Sequence, residues 1–250
     1  MVKIKKENWR IWNIDKNVEA RTFKRVKKQL PEMECAKQLR EILGKIYKKK
    51  MEVLDIGCAS GHYYNSLKKI DKDISYTGMD STYEYIKFGK RHFRKNKKVN
   101  LIQQDIFKIN KRYFKKFDIT YCCNVLLHLP EIKKPITNLI KTSKKFCILR
   151  TLVADKTHLS QFLYSDKFNK NKKPKNFVYQ NTYSYDFIKK IIKSCGKYRI
   201  NFLDDKFNSK NINKEFLSFK KKQSAVTRTF ENKQIAGSKV FEWKWVIIKK

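Results

Sequence analysis

The 250 residues carry 60 Lys and Arg against 23 Asp and Glu, a formal charge of +37 with a pI near 10.0. That length allows one large domain with a substantial buried core, and a chain that is 41% hydrophobic is not of the disordered, charge-dominated class. No apolar run reaches membrane-spanning length, and the opening MVKIKKENWRIWNID lacks the apolar stretch of a signal peptide, so a cytoplasmic protein is expected.

The six cysteines, Cys35, Cys58, Cys122, Cys123, Cys147 and Cys195, form no Cys-x-x-Cys pair, and several fall in apolar runs where Cys acts as a small hydrophobe. Neither a disulfide framework nor a metal site is expected. The charge invites a nucleic-acid or anionic-membrane partner, yet the lysines are spread over nearly every segment. Joint enrichment in Lys, Asn, Ile, Phe and Tyr also matches the residue bias of an AT-rich genome. The scarcity of acids leaves the polyanionic partner open.

In chain order, residues 1–30 are basic and aromatic, with NWRIWNI followed by RTFKRVKKQL. Pro31 suits a first helical turn, and Met33, Ala36, Leu39, Leu43 and Ile46 recur at helical spacing. Residues 1–47 therefore read as an N-terminal helical segment or lid, and residues 48–250 as the main domain. Val53, Leu54 and Ile56 then read as a buried parallel strand running into a turn with Gly57, Ala59 and Gly61 at alternate positions. The pattern DxGxAxG is neither GxGxxG nor a phosphate loop, because His62 and Tyr63 stand where a phosphate loop needs Lys and a hydroxyl. A ligand without phosphates is favoured there.

A second strand, Ser75 to Asp80, ends in an acid about 20 residues beyond the glycines, where a carboxylate can accept ribose hydroxyls. A third, Asn100 to Asp105, also ends in an acid, and a fourth, Phe117 to Asn124, runs into VLLHLP. A helix from Glu131 to Ser143, with Pro135 in its first turn, leads to a fifth strand, Phe146 to Thr151. Arg150, near that strand's C-terminal end, is placed to face substrate. Residues 152–183 lose all pattern and read as a substrate-covering insertion containing His158. A helix, Ser184 to Cys195, is stopped by Gly196, and a strand follows at Tyr198 to Leu203. Residues 205–238 form a second insertion in which TRTFE and NKQIAG suggest a hairpin arm. KVFEWKWVIIKK alternates apolar residues on two faces and reads as a final strand buried on both sides, its aromatics core and not a base-stacking platform.

These strand ends, from Asp55 through Gly57, Ala59, Gly61, Asp80 and Asp105 to Asn124, resemble those of class I S-adenosylmethionine (SAM)-dependent methyltransferases, chiefly over residues 34–151. The resemblance implies a Rossmann-like three-layer α/β sandwich, its mostly parallel seven-stranded sheet closed by a final antiparallel strand. It also implies SAM as donor, with S-adenosylhomocysteine as product. By the same resemblance Asp55 and the 57–61 turn lie under the methionine portion, and Asp80 with Ser81 beside it holds the ribose. Asp105 accepts from the adenine amino group, Ile106 packs near the ring, and Asn124 lies beside the transferred methyl. Where the family usually has a third glycine this chain has Ala59, which adds a methyl group against the ligand. The preceding segment of such enzymes often folds over the cofactor, and Arg21 or Arg25 would then reach the SAM carboxylate.

SAM carries an activated methyl, so the protein's main task is to align a nucleophile with the carbon–sulfur axis. A hydroxyl acceptor also needs a base, and His128, four residues after Asn124, is the leading candidate, with His158 in reserve. Tyr63, Tyr183 and Tyr185 are candidate pocket residues. The carboxylate set of metal-dependent O-methyltransferases is not recognisable. Nor is the Asn/Asp-Pro-Pro-aromatic signature of many nucleic-acid amino-methyltransferases. A small-molecule acceptor is expected, and LPEMECAKQL with NTYS resembles bacterial enzymes associated with sugars, surface-glycan precursors or lipid-linked acceptors. Two alternatives stand beside it: an RNA methyltransferase using the basic surface, and a non-catalytic SAM-fold protein.

Overall fold

The computed structural model describes residues 9–163, 166–206, 228–230, 233–236 and 239–250. Its helices and strands run α1 (Lys16–Val26), α2 (Glu34–Gly44), β1 (Glu52–Ile56), α3 (Tyr64–Leu67), β2 (Ser75–Asp80), α4 (Tyr83–His92) and β3 (Val99–Gln103). They continue with β4 (Phe117–Cys123), α5 (Lys133–Thr142), β5 (Ser143–Ala154), β6 (Gln161–Leu163), β7 (Phe177–Tyr179), β8 (Tyr183–Ser184) and α6 (Tyr185–Cys195). The last strands are β9 (Arg199–Asp204), β10 (Arg228–Phe230), β11 (Lys233–Ala236), β12 (Lys239–Phe241) and β13 (Trp243–Lys249).

The main sheet follows the order β3-β2-β1-β4-β5-β13-β9, with β8 pairing the end of β5. Strands β1 to β5 are parallel, whereas β13 lies antiparallel to both β5 and β9. Apolar residues on both faces of the strands make this a three-layer sandwich, since each pleat sends successive side chains to opposite cores. Leu54, Cys122, Leu149 and Val246 join Leu139 of α5 and Ile188 and Ile192 of α6 in one cluster. Val53, Tyr121, Ile148 and Trp245 join Leu39 and Leu43 of α2 and Ile86 of α4 in the other. The strand order reverses between β1 and β4, so their C-terminal edges flank the crevice where open α/β sheets bind ligands. Among the described residues no helix is long and apolar enough to cross a membrane.

Several boundaries differ from the sequence expectation for identifiable reasons. Pro31 precedes α2, which starts at Glu34 after an extended Met33 (φ −64°, ψ 142°). The fifth strand runs on to Ala154, because β8 and β13 both supply partners for its far end. The final apolar run is two strands broken at Glu242: β12 pairs β11 in a separate three-stranded sheet, and only β13 enters the main one. The patternless 152–183 region holds the antiparallel hairpin β6–β7, whose three-residue strands are too short to show a period. The expected hairpin arm corresponds to β10 and β11, which pair antiparallel; residues 207–227 of the second insertion lie outside the described residues.

Candidate active site

The turn after β1 is built against its neighbours on both sides. The N–H groups of Gly57 and Cys58 donate to the Met79 carbonyl of β2, at 2.7 and 3.1 Å. Gly57 has φ +81°, and a Cβ there would lie 2.2 Å from Val125 Cγ2 at the end of β4, so a side chain would push the two strand ends apart. Ala59 also takes a left-handed backbone, φ +49°. Its departure from the glycine pattern therefore adds backbone strain to the extra methyl group, on the order of 1–2 kcal/mol.

Asp80 ties the crevice together. Its Oδ2 accepts from Ala59 N–H at 2.9 Å and its Oδ1 from Thr82 N–H at 2.8 Å. Burial raises its pKa, while these two donors pull the other way. Beneath the turn, Asp55 accepts from Tyr76 Oη–H at 2.7 Å, and burial pushes its pKa up to about 7 despite that bond.

Asp105 lies two residues past β3 and caps a short 3-10 turn, accepting from Phe107 N–H at 2.9 Å. Its Oδ2 pairs with Arg10 Nη2 at 3.0 Å, and Arg10 also approaches Ser81 Oγ at 3.5 Å. The Ser81 carbonyl accepts from Gln103 Nε2 at 3.2 Å. Trp9 sits 6.5 Å from Phe107 and 6.2 Å from Tyr179, ring centre to ring centre, with the Arg10 guanidinium 4.5 Å from its own ring. Trp9 and Arg10 thus cover the β2–β3 edge. Ile106 is buried in the core under this turn, and its carbonyl accepts from Asn138 Nδ2 at 2.8 Å.

Asn124, at the end of β4, has φ +62° and donates its backbone N–H to the Arg150 carbonyl at 3.0 Å. Its Nδ2 approaches Cys35 Sγ at 3.7 Å, and that sulfur is 3.2 Å from Tyr63 Oη. Four residues on, His128 Nδ1 lies 2.7 Å from the Tyr179 carbonyl of β7, with the Trp12 ring 4.8 Å away. A carbonyl only accepts, so Nδ1 bears the proton and Nε2 the lone pair. Burial lowers the His128 pKa to about 4, and the Tyr179 carbonyl partly opposes that shift. The imidazole is neutral at physiological pH.

Three candidates on the acceptor side are placed otherwise than expected. Arg150 is not at the end of its strand: β5 continues four residues beyond it, and the side chain is 5% exposed. It pairs with Asp205 through two hydrogen bonds of 3.0 and 2.8 Å and donates to Asn124 Oδ1. Trp243 and Trp245 flank its guanidinium at 4.1 and 5.7 Å. Tyr183 is buried in the core, its hydroxyl taking a bond from Asn181 and reaching the Leu126 carbonyl. His158 is exposed and bridges Thr182 through its backbone. Of the other two tyrosines, Tyr63 is in the Cys35 contact and Tyr185 packs on Phe202.

The sequence reading passed over Arg10, Trp9, Trp12, Cys35 and Asp205. Alternating tryptophans and an arginine in NWRIWNI were the available signal for the first three. Asp205 had none, since its partner lies 55 positions away.

A mostly parallel sheet with the antiparallel β13 inserted between β5 and β9, and with a small-residue turn and acids at successive strand ends, defines a Rossmann-like, SAM-dependent methyltransferase of class I. The chain belongs to the methyltransferase-domain family whose model matches residues 47–234. None of the curated protein sequences matches it. Among solved structures it is similar to magnesium protoporphyrin IX methyltransferase from Synechocystis PCC 6803 with bound S-adenosylhomocysteine (12% identity, TM-score 0.56), covering 96% of this chain and 97% of that one. It is also similar to a SAM-dependent methyltransferase from Clostridium acetobutylicum (15% identity, TM-score 0.56), covering 93% and 98%. The match to the cyclase SpnF (14% identity, TM-score 0.50) covers 68% of this chain and spans 60% of that protein. One fold thus carries more than one reaction.

Proposed function

We propose that the chain transfers the SAM methyl group to a hydroxyl of a small-molecule acceptor, a sugar, glycan precursor or lipid-linked compound, in the cytoplasm. Asp80 holds the ribose hydroxyls with Ser81 beside it, the 57–61 turn over Asp55 supports the methionine portion, and Asn124 lines the methyl end. Asp105 recognises the adenine amino group through Oδ2, with Ile106 beneath the ring, and Arg10 shares or yields that oxygen. SAM supplies the electrophilic methyl carbon. Binding and alignment of the acceptor are then the protein's largest contributions.

The observation that carries the O-directed reading is His128. The Tyr179 carbonyl fixes its proton on Nδ1, leaving Nε2 as the acceptor of a substrate proton near the Asn124 end of β4. The hairpin β6–β7 that supplies this carbonyl also packs on Trp9, so one element orients the base and covers the edge. The similarity to an enzyme named for a porphyrin acceptor supports a small-molecule substrate. A second reading, methylation of RNA, rests on the +37 charge.

Labelled SAM incubated with fractionated cell extract tests both readings. We expect label in a hydroxyl-bearing small-molecule fraction, lost in His128→Gln. Label confined to RNA would overturn the reading. SAM binding without transfer to any fraction would instead support a binding protein.

A further inference from the structure

A cavity of about 230 Å³ lies between the end of α1, the 28–33 connection, the start of α2 and α3, apart from the strand-end cluster. Its described lining includes four cations, Arg25, Lys28, Lys68 and Lys69, against one acid, Glu32. Glu32 is already engaged by Arg40 at 2.8 Å and by Lys69 at 2.7 Å. Lys28 and Lys68 have no other acid in this lining. Lys68 lies against Lys28, and partial burial together with that like-charged neighbour lowers its pKa. Lys28 itself takes a left-handed backbone, φ +61°, at a helix end where glycine is the usual occupant.

His62 supplies the second, independent observation. Both ring nitrogens are shielded from solvent and have no hydrogen-bond partner, although the residue lines the cavity. Leaving two such groups unpaired is costly, and a ligand that pairs them removes the cost. Burial, and then the nearby Arg25, lower its pKa to about 3, so the ring is neutral. A neutral imidazole offers one N–H donor and one acceptor. The first suits an anionic oxygen and the second a hydroxyl.

We propose that this cavity binds the phosphoryl group of a small phosphomonoester that also bears hydroxyls, with Lys28 and Lys68 closing on the phosphoryl oxygens and the His62 ring turning to bridge to the molecule's polar body. Inorganic phosphate shares the charged part of this chemistry, and a sugar phosphate supplies all of it. The site does not depend on which acceptor is methylated.

The test is calorimetric titration at constant ionic strength with inorganic phosphate, glucose 6-phosphate, glucose, SAM and a short single-stranded RNA. The proteins are the wild type, Lys28→Ala/Lys68→Ala and His62→Phe. We expect glucose 6-phosphate to bind about tenfold or more tightly than inorganic phosphate, glucose not to bind, and the double variant to weaken both anions by about tenfold or more with SAM affinity and thermal melting unchanged. His62→Phe should remove the preference for glucose 6-phosphate over inorganic phosphate. No anion binding at millimolar concentration, or binding equal in the double variant, would overturn the proposal. An equal loss of SAM affinity would make the cavity an extension of the donor site, and RNA binding that displaces the monoester with steep salt dependence would make it a polynucleotide surface; either result also overturns it.

Discussion

The two sides of the sheet are built differently. From β1 to β4 the candidate donor-site groups lie in the turn that follows β1 or within two residues of a strand end: the 57–61 turn, Asp80, Asp105 and Asn124. Their partners are mainly backbone N–H groups of adjacent segments, as Ala59, Thr82 and Phe107 show. From the end of β4 onward the contacts join a side chain to a group distant in sequence, as in the buried pair of Arg150 and Asp205 and the bond of His128 to the Tyr179 carbonyl. A half built from local backbone geometry tolerates variation in its periphery. One built from long-range side-chain pairs fails when a single partner is removed.

The sharpest break should come at Arg150. Arg150→Met leaves the Asp205 carboxylate, 4% exposed, without its counter-ion, and we expect a loss of about 3–5 kcal/mol in denaturant unfolding. Adding Asp205→Leu should recover much of it. If the single variant were as stable as wild type, the acceptor half would not depend on this pair.

Asp55 tests the donor half through pH. Burial holds its folded pKa at about 7, above the ordinary carboxylate value, so the folded state binds the proton more tightly. The associated stability is present below pH 4, falls as pH rises toward 7, and changes no further above it, up to about 4 kcal/mol in all. Asp55→Asn should flatten that slope in melting curves taken from pH 4 to 8. An unchanged slope would mean that Asp55 is not the titrating group.

At His128, Gln keeps a donor toward the Tyr179 carbonyl but removes the basic nitrogen. We expect kcat to fall about 100-fold, with SAM affinity changed less than about twofold. A parallel loss of SAM affinity would place His128 in the donor half. The smallest effect should come from Ala59→Gly. Relief of the left-handed backbone, about 1–2 kcal/mol, is partly offset by the greater freedom of glycine in the unfolded chain, leaving a gain near 1 kcal/mol or less in thermal melts.

The same division explains what the sequence could reveal. Ser75–Asp80 was legible to the residue because a buried parallel strand and its terminal acid are adjacent in sequence. The helix after Ser184 was legible because its cap and its stop are local, Ser184 Oγ accepting from Phe187 N–H at 3.2 Å. The burial of Arg150 was not legible because it depends on where β5 ends, which β8 and β13 decide from elsewhere in the chain. Tyr183 and the split of the last strand at Glu242 escaped for the same reason. Neither the Tyr183 contact with Leu126 nor the departure of β12 into another sheet leaves a trace in local periodicity.

The central claim is that the strand-end acids form a SAM site anchored on Asp80. Calorimetric titration of SAM into wild type and Asp80→Ala, with thermal melting to confirm folding, measures it directly. We expect micromolar or tighter binding by the wild type and about 100-fold weaker binding by the folded variant, from the loss of charge-assisted bonds to the ribose. Equal affinity in the two proteins would contradict the ribose assignment and the site built around it.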